Sequence, residues 1–75
     1  MHTADELTHD PFYRTPGGRE YLRNFYGAVI LSAIADGDED TFRKVSDLAK
    51  VSNGVADAML DAVETADRIL RGGAR

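Results

Sequence analysis

The stretch Phe25-Tyr26-Gly27-Ala28-Val29-Ile30-Leu31-Ser32-Ala33-Ile34-Ala35 decides the fold, because it is the longest apolar run in the chain. A helical spacing of apolar residues already begins upstream of it, at Leu22. A strand over residues 28–34 is the alternative, since periodicity alone does not separate a short buried helix from a buried strand. The length of the pattern favours a central helix over about residues 18–36.

Residues 1–16 are predicted to form an N-terminal arm that holds a short helix and an extended segment. Thr3 and Glu6 have the spacing of a capping box, which satisfies free backbone groups at a helix start. The next proline ends that helix, because the residue before a proline avoids helical geometry. Phe12 and Tyr13 follow in the extended segment and are expected to anchor the arm to the helical domain. A partner-binding role for this aromatic pair is the alternative.

Two amphipathic helices are predicted after the central one, over about residues 39–52 and 54–71. Thr15 can cap the start of the central helix, Gly37 can take the left-handed conformation that ends it, and Asp38 can cap the next helix. In the last helix, the apolar stripe expected to face the core consists of Ala56, Met59, Val63, Ala66 and Leu70. The predicted fold class is therefore all-α: a small three-helix assembly over residues 17–75, preceded by a short N-terminal capping helix and an extended arm.

The composition limits the chemistry that this chain can perform. None of its 75 residues is Cys, which excludes disulfides, thiolate metal sites and Cys nucleophiles. Both His residues lie in the arm, and no Ser has a candidate base nearby in the sequence, so no catalytic constellation is recognisable. We therefore expect a protein that is not an enzyme and that uses no cofactor.

The small size of the chain points to a partner. A domain of this length buries only about 60% of its extended-chain surface, so its core is marginal without further support. The second half of the central helix carries more apolar surface than two neighbouring helices are expected to cover. We therefore predict a homodimer, or an obligate contact with another protein, through Ile30, Leu31 and Ile34.

The acidic balance indicates what kind of partner to expect. The formal net charge is −4, which repels nucleic acid on average and favours a basic surface. The sequence thus predicts a protein–protein interaction module, an inhibitor or regulator that blocks a basic, nucleic-acid-binding surface of another protein. Phage- or plasmid-borne inhibitors, including anti-CRISPR-type proteins, share this size, acidity and lack of catalytic motifs. The expected contact residues are carboxylates: Asp38, Glu39, Asp40, Asp57, Asp61 and Glu64.

A helix-turn-helix regulator that binds DNA is the alternative function. Residues 45–55 have part of that pattern, with a Leu-Ala pair followed by a glycine turn. The helix that would enter the major groove carries Asp57, Asp61 and Glu64, however, and it lacks the usual Arg, Gln or Asn base contacts. Direct binding to nucleic acid is therefore the less favoured prediction.

Two groups of residues are of types that bind metals, but each has at most part of a known ligand pattern. They are Asp36, Asp38 and Asp40, which alternate as in the first half of a calcium loop, and His2, Glu6 and His9, which would share one face of a short helix. Because each group lacks the rest of a known pattern, no metal site is predicted.

The location of the protein follows from two observations. The longest apolar run is far shorter than the roughly 20 residues of a membrane span. The acidic N-terminal stretch also lacks the basic region of a secretory signal. We therefore expect a cytoplasmic protein, in its own cell or in an infected host.

Overall fold

A computed structural model describes residues 1–73 as helices joined by short turns. The elements are α1 (Ala4–His9), a 3-10 helix (Pro11–Arg14), α2 (Pro16–Asp36), α3 (Glu39–Ala49) and α4 (Asn53–Gly73). The predicted all-α class, with three main helices after a short N-terminal one, is confirmed. Residues 74 and 75, the end of the predicted helical domain, lie outside the described residues. No helix in the described part is both long and apolar enough to cross a membrane.

The boundaries of α2 and α3 arise from local capping groups. The Thr15 hydroxyl accepts the backbone N–H of Gly18 at 3.0 Å and so starts α2. Gly37 ends α2 with a φ of 67°, the left-handed conformation that glycine adopts without strain. The Asp38 carboxylate accepts the N–H of Thr41 at 3.1 Å and starts α3. All three capping residues match the predictions.

The core lies where α2 meets α3 and α4, and the contact between α2 and α4 is the largest in the chain. The large buried side chains of α2 are Leu22, Tyr26 and Ile30. On α4, two of the buried side chains are the small Ala58 and Ala62. Small residues let a helix approach its neighbour closely, so the large groups of α2 fill the space above them.

The face that α4 turns toward the core differs from the predicted one. Val63 and Leu70 were expected to be buried, but their side chains are 42% and 70% exposed. The buried positions are Val55, Ala58 and Ala62. Met59 of the predicted stripe does pack against the core, but the prediction was wrong for Val63 and Leu70, because the most deeply buried positions of α4 lie on the neighbouring stripe.

The arm also differs from its prediction, because Phe12 and Tyr13 form a 3-10 helix rather than an extended segment. The Asp10 carboxylate accepts the N–H of Phe12 at 2.9 Å and thereby caps this turn. Tyr13 packs against the core cluster and anchors the arm, while Phe12 stays half exposed. The 3-10 helix lies so close to α2 that a Cβ at Gly18 would overlap the Phe12 carbonyl group. Glycine is therefore required at that position.

Candidate functional site

The side of α4 that faces away from the core mixes aliphatic and acidic side chains. We call it the α4 outer face, and it consists of Asp57, Leu60, Asp61, Val63, Glu64 and Leu70. All six side chains are exposed, and the two leucines, Leu60 and Leu70, are 64% and 70% exposed. Because α-helical neighbours lie three and four residues apart, Leu60 has Asp57 one turn before it and Glu64 one turn after it. A large aliphatic group thus stands between carboxylates.

Three of the predicted partner-binding residues, Asp57, Asp61 and Glu64, are brought together on this face. They line an open groove whose other wall is the first half of α2, including Arg19 and Arg23. The Nε atom of Arg23 lies 3.7 Å from the Asp61 carboxylate, and both side chains are about half exposed to solvent. Such a pair contributes little to stability. It does place a cation beside the acidic row, so this row is not uniformly negative.

The other three predicted residues lie at the start of α3, where Asp38 has a structural role. Its carboxylate accepts both the hydroxyl of Thr41, at 2.6 Å, and the backbone N–H of the same residue. These hydrogen bonds hold the pKa of Asp38 below its usual value, because they stabilise the charged form. Glu39 and Asp40 are exposed in the first turn of α3, where negative charge is favoured by the helix dipole.

The acidic residues of α4 and those at the start of α3 lie on opposite sides of α2. Ala28 and Ser32 line the recess next to Asp38, whereas Arg19 and Arg23 line the groove next to Asp61. Ala28 is nine residues after Arg19, and Ser32 is nine residues after Arg23. Nine residues are two and a half turns of an α-helix, which places the pairs on opposite faces. The predicted site is therefore divided into two separate surfaces.

The predicted oligomer interface needs a correction at Ile30. This side chain is fully buried in the core of its own chain, so it is not available to a second copy. Leu31 is partly buried and packs against the same core, and Ile34 is 37% exposed. The prediction failed at Ile30 because helices α3 and α4 both pack on this part of α2. Most of the exposed aliphatic surface of the helical domain is found instead on α4.

A second cluster, at the first half of α2, was not predicted. The imidazole ring of His2 lies among four aromatic rings that we call the aromatic cage. Their centroids are 5.2–5.5 Å from that of His2, and they belong to Tyr13, Tyr21, Phe25 and Tyr26. Three of the four rings meet the imidazole at a steep angle, which is the edge-to-face arrangement that aromatic pairs favour.

Hydrogen bonds hold both ring nitrogens of His2. The hydroxyl of Tyr26 lies 2.8 Å from Nδ1, and it also accepts the backbone N–H of His2 at 3.2 Å. Burial raises the pKa of Tyr26, because it disfavours the charged phenolate. The other ring nitrogen, Nε2, lies 3.2 Å from the hydroxyl of Tyr21.

The sequence placed His2 on one face of α1 with Glu6 and His9, and this placement was wrong. Helix α1 begins at Ala4, so His2 precedes it and turns toward α2 instead. The sequence did contain a signal for this cluster. Tyr21 and Phe25 are four residues apart and so form an aromatic side of α2 against which another segment can pack. Within the described residues, no group of three or more His, Cys, Asp or Glu side chains is arranged to hold a metal ion.

Known proteins provide no template for these sites. No protein-family model matches the chain, and no curated protein or solved structure matches it. The two candidate surfaces, the α4 outer face and the aromatic cage, are therefore defined by their geometry and charge.

Proposed function

We propose that this chain is a non-enzymatic binding protein that docks the α4 outer face onto another protein. The observation that carries the proposal is Leu60, a largely exposed aliphatic side chain one turn from both Asp57 and Glu64. Its partner is a protein that offers an apolar groove bordered by Lys and Arg side chains. In this role the chain acts as an inhibitor or regulator that covers the groove, as expected of phage- or plasmid-borne and anti-CRISPR-type inhibitors.

The aliphatic positions suit a helix that lies in a groove. Leu60, Val63 and Leu70 are separated by three and seven residues, so they fall along one side of α4. Single exposed apolar residues are normal on a protein surface, but a row of three on one helix is typical of recognition by helix-in-groove docking. The energy of such contacts is concentrated in a few anchors, and Leu60 is the one with the most carboxylates around it.

The charges favour a basic partner over a second copy of this chain. Two copies that met through their α4 outer faces would bring Asp57 and Glu64 of one near the same carboxylates of the other, which costs free energy. A basic groove instead pairs with them. Because Arg23 lies beside Asp61, we assign the electrostatic part of recognition to Asp57 and Glu64 rather than to the whole acidic row.

The test is capture of partners from the native host by the tagged chain, followed by binding measurements with purified components. The informative variants are Leu60→Ser and the double variant Asp57→Lys/Glu64→Lys. The matched control is Glu39→Lys/Asp40→Lys, which reverses the same number of charges on the opposite side of α2. We expect each α4 variant to weaken binding by more than about tenfold, the cost of losing an interface anchor, while the control binds like the wild type.

Two outcomes would contradict the proposal. One is a partner that retains its affinity for the α4 variants but loses it with the control. The other is a mobility shift of DNA at low salt, which would favour the helix-turn-helix alternative because non-specific DNA binding is strongest there. Light scattering of the same samples tests the homodimer, which stays a prediction through Leu31 and Ile34. A monomer mass at every concentration would end it.

A further inference from the structure

A recess with a volume of about 470 Å³ lies where the arm meets the turn between α3 and α4. We call it the basic recess, and its wall includes Tyr13 and Arg14 of the arm, Arg19 of α2, Lys50 and Val51 of the turn, and the first residues of α4. Three of the nine Lys and Arg residues of the chain line it, and none of the 13 Asp and Glu residues does. In a chain with a net charge of −4, this local excess of positive charge favours an anion.

The three cations come from separate elements, and each keeps donors for a ligand. The Arg14 guanidinium donates to the carbonyl oxygen of Thr8 at 2.8 Å, which holds it at the wall and uses one of its five N–H groups. Arg19 forms no ion pair with any of the described residues. The Nζ atom of Lys50 lies 3.3 Å from the Asp47 carboxylate, but both side chains are largely exposed and such a pair is weak. An incoming anion can therefore contact all three cations.

The start of α4 adds uncharged donors to the same wall. The backbone N–H groups of Asn53 and Gly54 have no acceptor among the described residues, whereas the next one, of Val55, donates to the Ser52 hydroxyl at 3.4 Å. Ser52 is the one buried polar residue in the described part of the chain, at 8% exposure, and its own hydroxyl proton has no acceptor there. It lines the recess together with Asn53 and Gly54. These donors reinforce the preference for negative charge.

The number of donors favours a phosphate group over a carboxylate. A carboxylate has two oxygens, whereas a phosphate monoester presents three strong acceptor oxygens, and guanidinium groups bind phosphate through paired N–H groups. The recess is also larger than a phosphate ion. The ring of Tyr13 and the half-exposed side chain of Val51 lie in its wall, and they offer an apolar contact for the organic part of an ester.

We infer that the basic recess is a binding site for the phosphate group of a small molecule. The net charge of −4 disfavours the polyanionic backbone of a nucleic acid, because its neighbouring phosphates would meet carboxylates outside the recess. The recess shares no residue with the α4 outer face, so this site stands or falls separately from the proposed function.

The test is an amide NMR titration of the full chain with inorganic phosphate at low ionic strength, with chloride at the same ionic strength as the blank. We expect the amide signals of Asn53 and Gly54 to shift in a saturable way with phosphate but not with chloride. Arg19→Gln and Lys50→Gln should each weaken binding by about tenfold, the loss of one charge-assisted hydrogen bond.

The matched controls are Arg68→Gln and Lys44→Gln, which remove the same charges at exposed positions outside the recess. Both should bind phosphate like the wild type. Amide signals of the recess that do not respond to phosphate would overturn the inference. So would controls that lose as much affinity as the recess variants, because binding would then depend on net charge alone.

Two further probes identify the source of the phosphate group. Phenyl phosphate should bind more tightly than inorganic phosphate if the ligand is an ester, and Val51→Ser should remove that advantage. Equal affinities of the two probes would support a site for the free ion. A short DNA oligonucleotide that shifts the same amide signals at lower concentration than either probe would overturn the inference, since the ligand would then be a nucleic acid backbone.

Discussion

The aromatic side of α2 and the outer face of α4 are treated differently by the same chain. Both carry large apolar side chains that the three main helices leave uncovered. The arm covers part of the aromatic side, with Tyr13 packed on the core and His2 in the cage, and it leaves Tyr21 and Phe25 partly exposed. Nothing among the described residues covers Leu60 or Leu70 on α4. The difference indicates that the arm completes the folded core, whereas the α4 outer face is free to bind a partner.

The largest effect is expected for a substitution in the part of α2 that forms the core. Ile30→Ala removes a fully buried side chain and should lower the free energy of unfolding by about 2–5 kcal/mol. The matched variant Ile34→Ala, one turn later and partly exposed, should cost less than about 1 kcal/mol. Urea unfolding followed by circular dichroism measures both. Equal losses of unfolding free energy for the two variants would show that Ile30 is exposed, and Ile30 would again be a candidate interface residue.

An intermediate effect on stability is expected for a substitution where the arm packs against α2. Gly18→Ala would place a Cβ against the backbone of Phe12 and should destabilise the protein by about 1–3 kcal/mol, the usual cost of overpacking. Gly17→Ala is the matched control, because no atom lies within 4 Å of its added Cβ. That variant should be neutral or gain up to about 1 kcal/mol from better helix propensity. The melting temperatures of the two variants measure the difference. A Gly18→Ala protein as stable as the wild type would show that the 3-10 helix does not pack against α2 at Gly18.

The smallest effect on stability is expected for substitutions on the α4 outer face. Leu60→Ala and Val63→Ala should change the free energy of unfolding by no more than about 0.5 kcal/mol, because exposed side chains contribute little to the core. Val55→Ala, on the buried side of the same helix, should cost about 2 kcal/mol. A large loss for Leu60→Ala in urea unfolding would show that α4 is rotated from the orientation described, and the α4 outer face would no longer exist as a free surface.

The parts of the fold that the sequence predicted correctly depend on neighbouring residues. The Thr15 cap, the left-handed Gly37 and the Asp38 cap each act within three or four residues, so their signals are visible in a short window. The capping box of α1 is similar, since the Glu6 N–H donates to the Thr3 hydroxyl at 3.2 Å. Helix type and helix boundaries follow from such local rules.

The parts that the sequence did not predict depend on distant contacts. His2 meets Tyr21 and Tyr26, which are 19 and 24 residues away, and no local pattern specifies that pairing. The sequence predicted that Val63 of α4 faces the core, because it has a larger apolar side chain than Ala62. Close packing of two helices favours the smaller residue, and Ala62 is the one that is buried. The acidic residues of α4 line one groove, as their helical spacing indicated, and their role in binding stays a prediction; their separation from Asp38 required the geometry of α2.

The positions of the tyrosines determine what spectroscopy reports on this protein. The chain has three Tyr and no Trp, and Tyr13, Tyr21 and Tyr26 all belong to the aromatic cage. The tyrosine bands of the near-ultraviolet dichroism and the tyrosine fluorescence therefore report on the cage, while far-ultraviolet dichroism reports on every helix. Following one thermal unfolding experiment with both signals separates opening of the cage from melting of the bundle, without a label or a substitution.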